Sequence, residues 1–137
     1  MPPVYGKLYH YDVSFVIWEY YVCEISNITK KLLEFRDVRD WEQFHDSKNL
    51  ALALAIEAAE LNELYLWKND LDEIEGVDKE RLSEELADVL AYALLLAHKN
   101  NLDVQDILTE KIKKNNFKYP LKKSRGSSKK YTELWAW

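Results

Sequence analysis

Two short runs of carboxylates are placed where they could do chemistry. The stretch "NLALALAIEAAELNELYLW" sets Glu57, Glu60 and Glu63 into a run of Leu and Ala, and "RLSEELADVLAYALLLAHKN" sets Glu85 and Asp88 three residues apart, ahead of a long apolar run. At about 100° per residue, a three-residue spacing puts both members of a pair on one helix face, one turn apart. Solvated acids on a helix usually meet Lys or Arg four residues on, but here Glu57, Glu60, Glu85 and Asp88 are followed at that distance by Leu61, Leu64, Val89 and Tyr92. Two such pairs facing each other across antiparallel helices would form an all-oxygen cage. Oxygen donors alone select hard cations, chiefly Mg2+ or Mn2+. A di-iron site would need a Glu-x-x-His pair on each of two helices. His10, His45 and His98 supply only one, Glu42 with His45, so redox iron is disfavoured. Cys23 has no evident base beside it, and no GxxxxGK[ST] phosphate loop occurs.

The elements that must position these acids are helices. With 137 residues and 47% hydrophobic content, the chain has enough apolar material for one packed domain. Apolar residues at Ile28, Leu32, Phe35, Val38 and Trp41 recur at three- and four-residue intervals, predicting a helix from about Ile25 to Phe44. A second runs from Leu50 to Trp67, and "KNDLDEIEGVD" breaks the pattern. Asp78 can cap a third helix, Lys79 to about Asn100, and Asp103 a fourth, Val104 to about Asn116. Pro120 ends the last. No strand alternation occurs between residues 25 and 116, so the expected fold is an all-α four-helix domain. The third helix, with "VLAYALLLA", is apolar on nearly every side, which implies burial on more than one face and an oligomer. The first 24 residues hold five of the nine Tyr, with Phe15 and Trp18. A strand, a hairpin or a packed helix would each accommodate them.

Charge divides the chain. Residues 1 to 110 carry 10 of the 19 basic and 23 of the 24 acidic residues, whereas residues 111 to 130 carry nine basic residues and no acidic one. A basic tail alone would suggest nucleic acid, but the acidic body would repel a phosphate backbone, so no nucleic-acid partner is expected. The single cysteine, Cys23, excludes an internal disulfide framework and a multi-cysteine zinc site, and fits a reducing, cytoplasmic setting. "VSFVIWEYYVC" is short and carries Glu19, so neither a signal peptide nor a membrane span is expected.

The stretches "RDWEQFHDSKNLALALAIEAAELNELYLWK", "EELADVLAYALLLA" and "NNFKYPLKKSRGSSKKYTEL" resemble, in that order, the MazG-like all-α nucleoside triphosphate pyrophosphohydrolases, in particular the dCTP pyrophosphatase branch. The resemblance covers roughly residues 25 to 134. The ExxE and ExxD pairs mark the superfamily, while "RDWEQFH", the Trp after the second helix and "KYP…SRGS…KYT" point to the branch. In many relatives paired glutamates open the first motif, and here Ile56 precedes Glu57.

The resemblance implies a four-helix MazG-like bundle assembled as a homotetramer, a dimer of dimers. The pyrophosphohydrolase domain would span residues 25–119, the aromatic N-terminal extension residues 1–24, and a basic lid residues 120–137. It implies Mg2+-dependent hydrolysis of a (deoxy)nucleoside triphosphate, with dCTP or a modified dCTP leading, to monophosphate and pyrophosphate. It carries Glu57, Glu60, Glu85 and Asp88 over as catalytic metal ligands, in agreement with the spacing, and places Asn115, Lys118 and Tyr119 near the substrate. Trp41 and Trp67 offer flat faces for stacking on the base, and His45 and Asn49 offer hydrogen bonds to a pyrimidine edge or sugar. Tyr92, one turn beyond Asp88, and Arg125, among the tail cations that would hold the β- and γ-phosphates, complete the expected substrate contacts. The rival class is a non-catalytic helical oligomer whose acids bind a structural metal, or whose basic tail docks an acidic partner. Turnover of a triphosphate separates the two.

Overall fold

A computed structural model describes residues 13–135, with side chains from residue 24 onward. These residues form helices and turns, with no strand among them. The chain divides into two units, one ending at Phe44 and the other beginning at His45. None of the described helices is long and apolar enough to cross a membrane.

The first unit contains α1, Val13–Asp37, and a 3-10 turn at Glu42–Phe44. The residues left open by the sequence thus include the start of α1. Residues 1–12 and the side chains through Cys23, His10 among them, lie outside the described residues. The apolar periodicity predicts a helix to Phe44, but α1 stops at Asp37. Asp40 adopts φ 54°, the left-handed conformation that terminates helices. The N–H of Trp41 then reaches back to the carbonyl of Arg36 at 3.2 Å and that of Asp40 to Asp37 at 3.0 Å. The apolar contact that goes with this closure is the edge-on packing of Trp41 against Phe35, with centroids 5.9 Å apart. Trp41 therefore continues the periodicity without being helical. Arg36 is buried and pairs with Asp37 at 2.6 Å and with Glu42 at 3.9 Å.

The second unit is built on α2, Ser47–Glu63, and α4, Lys79–Lys99, which make the only extensive helix–helix contact among the described residues. They run antiparallel, since the hydroxyl of Ser47 at the start of α2 lies 3.2 Å from Asn100 Oδ1 at the end of α4. Ala and Leu supply the helix propensity of α2, and Asp46 caps it by accepting from the Asn49 N–H at 2.7 Å. Asp78 caps α4 by accepting from the N–H groups of Glu80 and Arg81 at 2.9 and 3.0 Å. Asn101, at φ 53°, closes α4, with the Leu102 N–H on the Ala97 carbonyl at 2.9 Å. The buried apolar residues of this unit are Leu50, Leu64, Val77, Leu95 and Ala97.

Between these helices the acidic stretch holds α3, Leu71–Glu75, which apolar periodicity misses because it is a single turn capped by Asp70. Then come α5, Val104–Lys118, capped by Asp103 as predicted, and two short turns, α6 at Leu121–Ser124 and α7 at Tyr131–Leu134. α5 leaves Ile107, Leu108, Ile112 and Phe117 exposed. On the central pair, Leu52, Ile56, Leu86 and Leu90 are exposed too.

Candidate metal centre

The antiparallel register of α2 and α4 brings Glu57 of the first acid pair to the level of the second pair, Glu85 and Asp88. Oxygens of Glu57, Glu85 and Asp88 lie within 4.8 Å of one another. Glu57 and Glu85 are half-buried and Asp88 is exposed. Glu60, one turn beyond Glu57 and exposed, stands outside this group of three. It still acts on the site: loss of solvent is the first cause that raises the Glu57 carboxyl above its ordinary value of 4.5, and the charge of Glu60 is the next, followed by Asp88 and Glu85. Glu63 and Glu84 are exposed and outside the group.

This donor set fits a hard divalent cation. It offers carboxylate oxygen only, in a spacing one ion can bridge, and its crowded negative charge is what a cation would neutralise. Tyr92 borders the group. Its phenol is raised above 10.0 first by burial and then by the charges of Glu57 and Asp88.

The other predicted contacts are distributed more widely. Trp67 follows α2 in a turn and is 85% exposed, which rules out core packing for its indole within the chain. His45 is half-buried and Asn49 exposed, at the start of α2. Trp41 lies in the first unit, 44% exposed, with the Arg39 guanidinium 5.8 Å from its ring and 3.6 Å from that of Phe35.

Asn115, Lys118, Tyr119 and Arg125 sit on α5 and in the segment after it, which pack only slightly on α2 and α4 within one chain. That segment folds on itself. The Tyr119 and Tyr131 rings meet edge-on at 5.9 Å, Lys118 Nζ lies 4.9 Å from the Tyr131 ring, and Lys123 Nζ lies 3.9 Å from that of Trp135. The Trp135 indole N–H donates to the Lys118 carbonyl at 3.3 Å. Lys122, Arg125, Lys129 and Lys130 are exposed.

Sequence reasoning missed the backbone of Trp67. It takes φ 66°, a conformation rare for a bulky residue, in a turn closed by the Lys68 N–H on the Tyr65 carbonyl at 3.2 Å. The only sequence signal was the turn-forming pair Asn69–Asp70 just after it.

Residues 52–134 match the MazG-like family. Over 114 residues the chain is 43% identical to dCTP pyrophosphatase 1 of Mus musculus and 40% identical to dCTP pyrophosphatase 1 of Homo sapiens, in each case spanning 80% of this chain and 67% of the relative. Among solved structures, a pyrophosphatase from Archaeoglobus fulgidus superposes with a TM-score of 0.69 at 38% identity, covering 71% of this chain and 93% of that one.

Proposed function

Because the chain belongs to the MazG-like family and is a nucleoside triphosphate pyrophosphohydrolase, we propose that its reaction is the Mg2+-dependent hydrolysis of dCTP, or a modified dCTP, to the monophosphate and pyrophosphate. The observation that carries this reading is the convergence of Glu57, Glu85 and Asp88 from two antiparallel helices. These three, with Glu60 joining from the next turn of α2, would hold the metal. Mg2+, when bound, supplies charge neutralisation at the phosphoryl oxygens and lowers the pKa of water beside it.

The protein's own part is to hold and orient. Trp67 offers a solvent-facing indole for the base, and Trp41 is the second aromatic proposed to meet it. His45 and Asn49 offer polar groups to the base edge or the sugar, and Tyr92 a phenol beside the acids. Asn115, Lys118 and Tyr119 are proposed substrate contacts, and exposed cations after Pro120, Arg125 among them, would meet the outer phosphates, so that residues 120–137 serve as a lid.

We propose that the chain assembles as a homotetramer, a reading supported by exposed apolar residues on three helices. Leu52 and Ile56 on α2, Leu86 and Leu90 on α4, and Ile107, Leu108, Ile112 and Phe117 on α5 are exposed apolar side chains of the kind a subunit interface covers. A neighbouring copy covering them would also bring the α5 and tail residues of one chain toward the acids of another. The test is kcat/KM across a panel of canonical and modified triphosphates with Mg2+. The proposal expects dCTP or a cytosine-modified analogue to lead. A purine triphosphate in first place would overturn the substrate assignment.

A further inference from the structure

Beside the backbone bond from the Lys68 N–H to the Tyr65 carbonyl, two side chains hold the turn that carries Trp67. Asn69 Nδ2 donates to the Trp67 carbonyl at 3.0 Å, and the Asn69 N–H donates to Glu73 Oε2 at 3.1 Å on α3. Glu73 is fixed in turn, since its N–H donates to Asp70 Oδ1 at 2.8 Å. The turn therefore runs from the end of α2 to the cap of α3 through a chain of hydrogen bonds with Asn69 at its centre.

What this arrangement stabilises is unusual. A third turn residue at positive φ normally goes to Gly or Asn, and here it is a tryptophan whose ring is 85% exposed. Burial does not compensate the conformation, because the ring has little protein around it. Strain of this kind persists where surrounding contacts over-determine it, and it concentrates at ligand sites. The side-chain contact on the Trp67 carbonyl is the Asn69 amide.

We infer that Asn69 is a positioning residue for the base: by holding the Trp67 carbonyl it fixes the left-handed turn and thereby the direction of the exposed indole. The inference rests on the reading of Trp67 as a stacking face for the nucleobase. Asn69 touches no reacting atom, so its effect belongs in substrate binding and leaves the hydrolytic step unchanged.

The test is a double-mutant cycle on the full-length protein with Mg2+ and dCTP, reading kcat and KM separately and melting temperature alongside. Trp67→Ala is expected to raise KM by roughly tenfold or more, the loss of one base–aromatic stack. Asn69→Ala is expected to raise KM about fivefold, the scale of one hydrogen bond, with kcat unchanged. In the Trp67→Ala background, Asn69→Ala should add nothing, because there is no indole left to direct. If Asn69→Ala lowers kcat and melting temperature with KM unchanged, Asn69 is merely structural and the inference fails. It fails equally if the two effects multiply in the double variant. If Trp67→Ala raises KM and Asn69→Ala does not, the inference falls and the stacking reading stands. If Trp67→Ala leaves KM unchanged, both fall.

Discussion

Asp88→Asn asks whether the converging acids are kept for folding or for metal. Asp88 has two carboxylate neighbours, Glu57 and Glu85, with oxygens within 4.8 Å. Two unit charges at that distance interact with about 0.9 kcal/mol in a water-like medium, and exposed Asp88 belongs at that end of the range. Two neighbours give roughly 1–2 kcal/mol of repulsion, and salt reduces it to about 1 kcal/mol. Removing it should raise the melting temperature in EDTA by about 4 °C for a chain of this length. With Mg2+ at a hundred times its Kd, the wild type gains about 2.7 kcal/mol by mass action, and the variant, lacking a ligand, gains far less. Hydrolysis in the variant should fall by at least about 100-fold. Glu60→Gln should follow the same pattern, since Glu60 is the charge that bears most on Glu57. The assay is thermal melting in EDTA and in Mg2+ at one fixed protein concentration, with turnover measured in parallel. A variant that melts below the wild type in EDTA would make the acids structural. Normal melting with full turnover would mean that the wrong residues have been chosen.

Three further outcomes are expected. Light scattering at micromolar concentration should give four times the 16.3 kDa chain mass, and Ile112→Glu on exposed α5 should lower it; a wild-type monomer would refute the assembly. The folded Glu57 binds its proton more tightly than the unfolded chain, so its contribution is complete below pH 4.5 and is lost as pH rises through its raised value. Metal-free wild type should therefore gain stability as pH falls in the window just above 4.5, and Glu57→Gln should flatten that gain in a melting-temperature profile. Replacing exposed Lys122, Arg125, Lys129 and Lys130 with Gln should raise KM for the triphosphate several-fold and steepen no melting transition; unchanged KM would remove the lid from the account.

Much of this was legible in the chain, for identifiable reasons. The Ala and Leu of α2 and the caps at Asp78 and Asp103 are local signals, so α4 and α5 start where capping puts them, while α2 occupies the expected stretch but runs from Ser47 to Glu63 instead of Leu50 to Trp67, because Asp46 caps it earlier. The acid pairs were legible because a three-residue spacing fixes a helix face, and an antiparallel α2–α4 pair then brings Glu57, Glu85 and Asp88 together. The left-handed turns were not. Asp40 and Trp67 take positive φ without being glycine, so neither residue type marks the left-handed position, and after α2 the Asn69–Asp70 pair signals a turn without locating it at Trp67. How Asn115, Lys118 and Tyr119 would approach the acids was also hidden, because α5 packs little on its own chain and its apolar residues face outward.

Which phosphoanhydride bond is cut tests the proposed reaction most directly. Incubation of the metal-loaded protein with dCTP, followed by chromatographic resolution of the products, should yield dCMP and pyrophosphate in equal amounts, with no turnover in EDTA and recovery on adding Mg2+. Formation of dCDP and phosphate, or turnover that persists without a divalent cation, would contradict it.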